Sequence, residues 1–126
     1  MAKQIINSNA APSPIGPYNQ AVFAGNLLFI SGQIALQPGS GILVDNSISD
    51  ETKQVMKNLE AILLEAGLTF SNVVKTTIFL SEMSHFNEVN EVYAKSFDGN
   101  FPARETVSVK GLPKNVNVEI SMIASR

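Results

Sequence analysis

Val116-Asn117-Val118-Glu119-Ile120-Ser121-Met122 alternates apolar and polar residues without a break. Period-two alternation predicts a β-strand with Val116, Val118, Ile120 and Met122 on one buried face. Glu119 then points to the other face, between Asn117 and Ser121. Upstream, Phe101-Pro102-Ala103-Arg104 carries the only internal arginine; Arg126 is the C-terminal residue, and the other positive charges are all lysines. A guanidinium is a planar fork of donors that matches a carboxylate in two parallel hydrogen bonds, which an ammonium cannot do. The loop Lys110-Gly111-Leu112-Pro113-Lys114-Asn115 separates the two segments. An antiparallel hairpin folded near Gly111–Leu112 would set Arg104 and Glu119 opposite each other, about 5 Å apart. A weak surface ion pair is one reading of such a pair. An anion clamp beside a proton acceptor is the other.

Working outward, the 126 residues are expected to form one domain, residues 1–126, large enough for a real core. Hydrophobic content is 44% and charged content 16%, so some apolar surface is available for a subunit interface. The net charge of −2, with lysines scattered at 3, 53, 57, 75, 95, 110 and 114, argues against a nucleic-acid backbone as the main partner. With no cysteine there is no disulfide, thiolate nucleophile or thiolate metal ligand. The N-terminus lacks the apolar core of a signal peptide, and no run approaches the roughly 20 apolar residues of a membrane span. A cytoplasmic protein is the expectation.

Ala10 to Pro17 is too rich in proline for helix or central strand and reads as an ordered, extended lead-in. Ala21–Ala24 and Leu27–Ile30 flank Gly25-Asn26, a two-residue hairpin signal. The second of these strands runs on into Ser31-Gly32-Gln33-Ile34, and Ile42–Val44 reads as a short return strand after a turn at Pro38–Gly41. Ser49 is a fit N-cap for a helix whose first turn holds Asp50 and Glu51, with Val55, Leu59, Ile62, Leu63 and Ala66 at helical spacing and Gly67 as the stop. Val73–Leu80 is rich in β-branched residues and reads as a strand. Ser84 is placed to cap a second helix with a stripe of Phe86, Val89, Asn90, Tyr93 and Phe97, ended by Gly99. Two helices covering one face of a single sheet make an α+β domain.

Metal and Ser-His-Asp chemistry are not indicated, because the single histidine, His85, has no second imidazole at ligand spacing and sits at a helix start. No phosphate-cradling glycine loop is present. Ser31-Gly32 places a small polar residue and bare backbone in a core strand, the mark of a bulge or of close approach by a ligand or another chain. Asn90 interrupts an apolar stripe, and a buried amide there needs a partner in the sheet or in a ligand. Tyr18 follows a rigid proline segment able to hold its ring at a pocket mouth, or simply packs.

Taken together, Ile15-Gly16-Pro17-Tyr18, Ser31-Gly32-Gln33-Ile34, Val74–Leu80, Phe86–Tyr93, Phe101-Pro102-Ala103-Arg104 and Leu112-Pro113-Lys114 leading into Val118-Glu119-Ile120 resemble the YjgF or Rid family, most closely its RidA branch. The resemblance spans nearly the whole chain. It implies a homotrimer of chorismate-mutase-like subunits, each a single mixed β-sheet covered on one face by two helices, with clefts between neighbours. It also implies cofactor-independent hydrolysis of 2-imino and 2-amino-enoic acids, such as 2-iminobutanoate and 2-iminopropanoate, to 2-keto acids and ammonia. On that pattern Arg104 binds the carboxylate and Glu119 positions water, while Tyr18, Ser31, Gly32, Asn90 and Thr106 line the substrate pocket. Thr106 stands where several relatives carry cysteine, and the stretch from Asn90 to Arg104 is about three residues shorter than in many. The rival functions are a keto-acid-binding regulator or chaperone-like protein, and an endoribonuclease or translation inhibitor.

Overall fold

The run Val73–Leu80 pairs on both edges and organises everything around it. In the computed structural model, which describes residues 2–126, the elements in chain order are β1 Gln4–Ile6, β2 Ala21–Ala24, β3 Leu27–Gln33, α1 Ile48–Glu65, β4 Val73–Leu80, α2 Phe86–Ala94, β5 Ala103–Ser108 and β6 Val118–Ser125. They form one mixed six-stranded sheet in the order β1-β2-β3-β6-β4-β5. Every neighbouring pair is antiparallel except β4 and β5, which are parallel.

The expected hairpin between the Arg104 and Glu119 segments does not form, because β4 lies between β5 and β6. Val73, Thr76, Ile78 and Leu80 are buried, and a strand so apolar gains by sharing its ladder with a neighbour on each side. The connection from Leu80 to Ala103 is long enough for a parallel crossover and contains α2, as parallel pairing requires. Its length was the sequence signal against the hairpin.

The hairpin at Gly25-Asn26 is as expected, with Ala24 opposite Leu27 and Gly25 at φ +59°. β1 was not anticipated; it pairs Gln4 with Phe23 and Ile6 with Ala21. The return through Ile42–Val44 amounts to an isolated bridge between Leu36 and Leu43 rather than a strand. The bulge falls in β3: Ile30 faces Met122 and Gln33 faces Ile120, so Ser31 and Gly32 share the space opposite Ser121.

Both helices lie on the face that carries Val118, Ile120, Met122 and Ala124 of β6. There Leu59, Ile62 and Leu63 of α1 and Val89 and Tyr93 of α2 join Leu28, Ile78 and Leu80 in one core. Each fully buried aliphatic chain is worth about 1.5–3 kcal/mol, so packing of its inner stripe rather than propensity holds the long helix α1 in place. Its N-cap is Ser47, not Ser49: the Ser47 hydroxyl accepts the Asp50 N–H at 3.0 Å. Starting there lets Ile48 pack on the core and turns Glu51 inward. α2 opens from a 3-10 turn at Met83–His85 without a side-chain cap, so Ser84 does not cap it.

Glu51 is 1% exposed and accepts three hydrogen bonds from the start of β6: from Asn117 N (2.8 Å), Asn117 Nδ2 (3.0 Å) and Val118 N (3.0 Å). Asn117 in turn accepts from Ser81, Oγ to Oδ1 at 2.9 Å and N to O at 2.9 Å. One carboxylate therefore ties α1 to the entry of β6 and, through Asn117, to the end of β4.

Replacing Glu51 by alanine leaves buried N–H donors without an acceptor, at about 1–3 kcal/mol each. Chemical denaturation of Glu51→Ala should show a loss of at least about 2 kcal/mol. A loss within experimental error of zero would mean that water takes over the three bonds.

Candidate active site

Side chains directly opposite each other in a sheet point to the same face, and successive ones alternate. Arg104 on β5 stands opposite Thr76, which stands opposite Met122. Thr76 and Met122 are both buried under the helices. Glu119 stands opposite Phe79, and Phe79 opposite Val107, a row on the uncovered face. Arg104 and Glu119 thus leave the sheet on opposite sides. Two strand spacings and three residues along the strand separate their Cα atoms by roughly 14 Å. Within one chain they do not form the close pair expected from sequence.

Each has its own surroundings. The Arg104 guanidinium carbon lies 5.0 Å from the Tyr93 ring centroid and 5.7 Å from that of Phe86. It borders an open hollow lined also by Asn90, Ala94, Phe101 and Pro102. Among the described residues the ion pair is Lys75–Glu105, at 3.1 Å on the opposite face. Among these residues Arg104 has no carboxylate within pairing distance and no side-chain hydrogen bond, so its in-plane donors are free of them. Asn90 is partly buried beside it, as the break in the α2 stripe suggested. Thr106, two residues along the same face of β5, has a buried hydroxyl oxygen with no partner.

Glu119 sits in a separate, small pocket bordered by Tyr18, Gln20, Gly32, Ile34, Pro113 and the proline segment Pro12–Ile15. Gly32 is there for space: a Cβ on it would stand 2.9 Å from Glu119 Cδ and 3.0 Å from Cγ, too close to exist without displacing the carboxylate. The bulge brings bare backbone against the acid. Burial without a cationic partner raises the Glu119 pKa above its usual value. Tyr18 is on the rim, 45% exposed, its hydroxyl accepting from Ile15 N at 3.3 Å. The Ser31 hydroxyl already donates to the Asn19 carbonyl at 2.7 Å, so it shapes the loop beside the pocket.

The structure therefore brings Tyr18, Gly32 and Glu119 together in one place and Asn90 and Arg104 in another. Three contributors were missed in the sequence. Gln20 is 2% exposed and holds the proline segment by accepting from Ser8 N (2.6 Å) and donating to Ser8 O (3.0 Å) and Pro12 O (2.9 Å). Nothing in its neighbours marks it. Phe86 and Tyr93 were read only as core, although their i, i+7 spacing on one helix face allows two rings to face the same strand residue. Among the described residues, no cluster of acids and histidine could hold a metal ion, and no helix is long and apolar enough to cross a membrane.

A family model described as Endoribonuclease L-PSP matches residues 8–126. A human protein named 2-iminobutanoate/2-iminopropanoate deaminase is 45% identical, the match covering 98% of this chain and 90% of the human one. The structure of YyfA from Yersinia pestis, described as a conserved Rid family protein, superposes with a TM-score of 0.96 at 48% identity, covering 99% of this chain and 100% of that one. E. coli TdcF with bound serine superposes at 0.93 with 38% identity, covering 98% of each chain.

The Glu119 environment makes a prediction that needs no substrate. A carboxyl whose pKa is raised by folding keeps extra protons in the folded state. The stability of the native chain relative to Glu119→Gln should be highest below the unfolded carboxyl pKa and fall as pH rises through the folded one. Denaturation of both proteins across that window measures the gap. A gap that stays constant, or widens with pH, contradicts a desolvated acid.

Proposed function

Because this chain belongs to the YjgF/Rid family, we propose that it hydrolyses 2-imino acids, and their 2-amino-enoic tautomers, to 2-keto acids and ammonia. The observation that carries this reading is the Arg104 guanidinium, partly buried, backed by two aromatic rings and without a carboxylate partner among the described residues. A partly buried cation with free in-plane donors suits a small carboxylate. The name of the human relative and the serine bound by TdcF support a small amino-acid-like ligand.

The opposite facing of Arg104 and Glu119 extends the proposal to the assembly. The uncovered face of the sheet presents Ile5, Leu27, Phe29 and Val107, each 39–51% exposed, more apolar surface than water-facing sheet normally shows. Other copies of the chain cover it, three in all, and bring Glu119 of one protomer to Arg104 of the next. The working unit is a cytoplasmic homotrimer with its sites between subunits. Tyr18 and Gly32 accompany Glu119 into each site; Asn90 and Thr106 accompany Arg104.

The chemistry asks little beyond placement. The C2 carbon of a 2-imino acid is already electrophilic, and neither oxidant nor cofactor enters the balance. Arg104 holds the carboxylate in two parallel hydrogen bonds, fixing C2 in the cleft. Glu119, ionised, accepts a proton from water as the water oxygen bonds to C2, giving a tetrahedral carbinolamine. The same proton passes from Glu119 to the nitrogen. Glu119 then takes the hydroxyl proton and delivers it to the same nitrogen; the C–N bond breaks as the O–H electrons form the new carbonyl, and ammonia and the 2-keto acid leave with Glu119 again ionised. The raised pKa of Glu119 suits both halves, since a weaker acid is a better base and still returns the proton.

Arg104→Lys keeps the charge but loses the fork. It should lower kcat/KM for 2-iminobutanoate, generated in situ by a threonine dehydratase, at least about tenfold, the value of one charged hydrogen bond. Glu119→Gln should spare 2-ketobutyrate binding, measured by calorimetry, while lowering kcat, the mark of a group that matters in the transition state. Wild-type turnover by Glu119→Gln would reduce Glu119 to a structural role.

A further inference from the structure

We propose that Tyr93, with Phe86 beside it, is a positioning residue that presents the Arg104 guanidinium to the substrate carboxylate, and that Thr76 is the reference point for both. This rests on the carboxylate-binding role given to Arg104 above, and adds what makes that arginine selective.

Arginine side chains on an edge strand are long and mobile, so a free one is a poor clamp. Here the ring faces of Tyr93 and Phe86 lie 5.0 Å and 5.7 Å from the guanidinium carbon, within cation–π range. The attraction restrains the cation, and among the described residues no carboxylate or side-chain hydrogen bond occupies its N–H donors. Two rings can therefore restrain the group and leave the donor fork open.

The platform is itself fixed. Tyr93 is 4% exposed, and its hydroxyl donates to Thr76 Oγ1 at 2.9 Å. Its ring is tilted against Phe97 at 4.9 Å between centroids, and Phe97 meets Phe70 at 5.6 Å and Phe101 at 5.9 Å. Thr76 is also the register partner of Arg104 across the β4–β5 ladder. One residue thus locates the arginine twice, through its backbone and through the aromatic ring under its side chain. Burial raises the Tyr93 pKa, which keeps the phenol neutral and its hydroxyl a donor through the neutral range.

Calorimetry with 2-ketobutyrate and its neutral amide, 2-ketobutyramide, tests the assignment. Tyr93→Leu should reduce the preference for carboxylate over amide by about tenfold, the scale of a partly buried cation–π contact. Tyr93→Phe, which keeps the ring and loses only the tie to Thr76, should reduce it by about threefold. Phe86→Leu, at a half-buried position that does not threaten the fold, should give an intermediate loss. Combining Tyr93→Phe with Thr76→Val should add nothing to Tyr93→Phe alone. The proposal is overturned if Phe86→Leu and Tyr93→Phe both retain the wild-type preference. It is overturned equally if carboxylate and amide weaken together, since that is a pocket that has lost shape rather than a misplaced cation. Arg104→Ala is the control: if it too leaves the preference unchanged, the fault lies in the carboxylate-binding role of Arg104, not in the platform.

Discussion

Helices cover only one face of the sheet, and side chains alternate between faces. The consequences run through the whole molecule. The covered face takes the aliphatic residues of β3, β4 and β6, and with them the stripes of α1 and α2. Arg104 falls on this side, at the edge, where the helix layer supplies aromatic rings instead of aliphatic core. Glu119 falls on the bare side, in a pocket built by the bulge and the proline segment. A chain that carries its cation and its acid on opposite sides of its sheet cannot close them on one small molecule. In the proposed assembly a second copy brings the two together, with the apolar bare face as the surface between copies.

Local devices hold the two half-sites in shape. The bulge at Ser31-Gly32 gives β3 an extra residue against β6, and the missing Cβ of Gly32 admits the Glu119 carboxylate. Glu51 fixes the entry of β6 two residues before Glu119, from the first turn of a helix on the other side of the sheet. The loop between β5 and β6, with Lys114 and Asn115 in the left-handed region at φ +55° and +56°, delivers Pro113 to the wall of the same pocket. Each device joins segments far apart in sequence, so the half-site around Glu119 depends on the whole fold being in register.

This explains which parts were legible in the sequence. Signals that act over a few residues read correctly: Gly25-Asn26 as a two-residue turn, the stripe Val55, Leu59, Ile62 and Leu63 as the inner face of α1, and the β-branched run at Val73–Leu80 as a strand. Pairing of the Arg104 segment with the Glu119 segment did not read correctly. Two alternating segments joined by a short loop looked like a hairpin, and only the competition from β4, whose buried residues need a neighbour on each edge, separates them. β1 was missed because three residues carry too little pattern. The N-cap was misplaced by two residues because Ser47 and Ser49 are both competent caps; the inward turn of Glu51, a tertiary contact, decides between them. Of the candidate site residues the sequence singled out Arg104, Glu119, Tyr18, Gly32 and Asn90, but not that the fold divides them into two groups on opposite faces. The roles of Gln20, Glu51 and Tyr93 were not visible, because each acts through partners that only the fold brings near.

The claim that a working site takes Arg104 from one protomer and Glu119 from another is tested most directly by mixing two impaired variants, each with a defect in a different residue. Arg104→Lys and Glu119→Gln chains would be unfolded together in equal amounts, refolded, and assayed for hydrolysis of 2-iminobutanoate. If sites form between subunits, random association gives about one quarter of them an intact Arg104 and an intact Glu119, and activity returns to about that fraction of wild type. If both residues of a site come from the same chain, every mixed site keeps one defect, and activity stays at the level of the separate variants. That outcome would contradict the account.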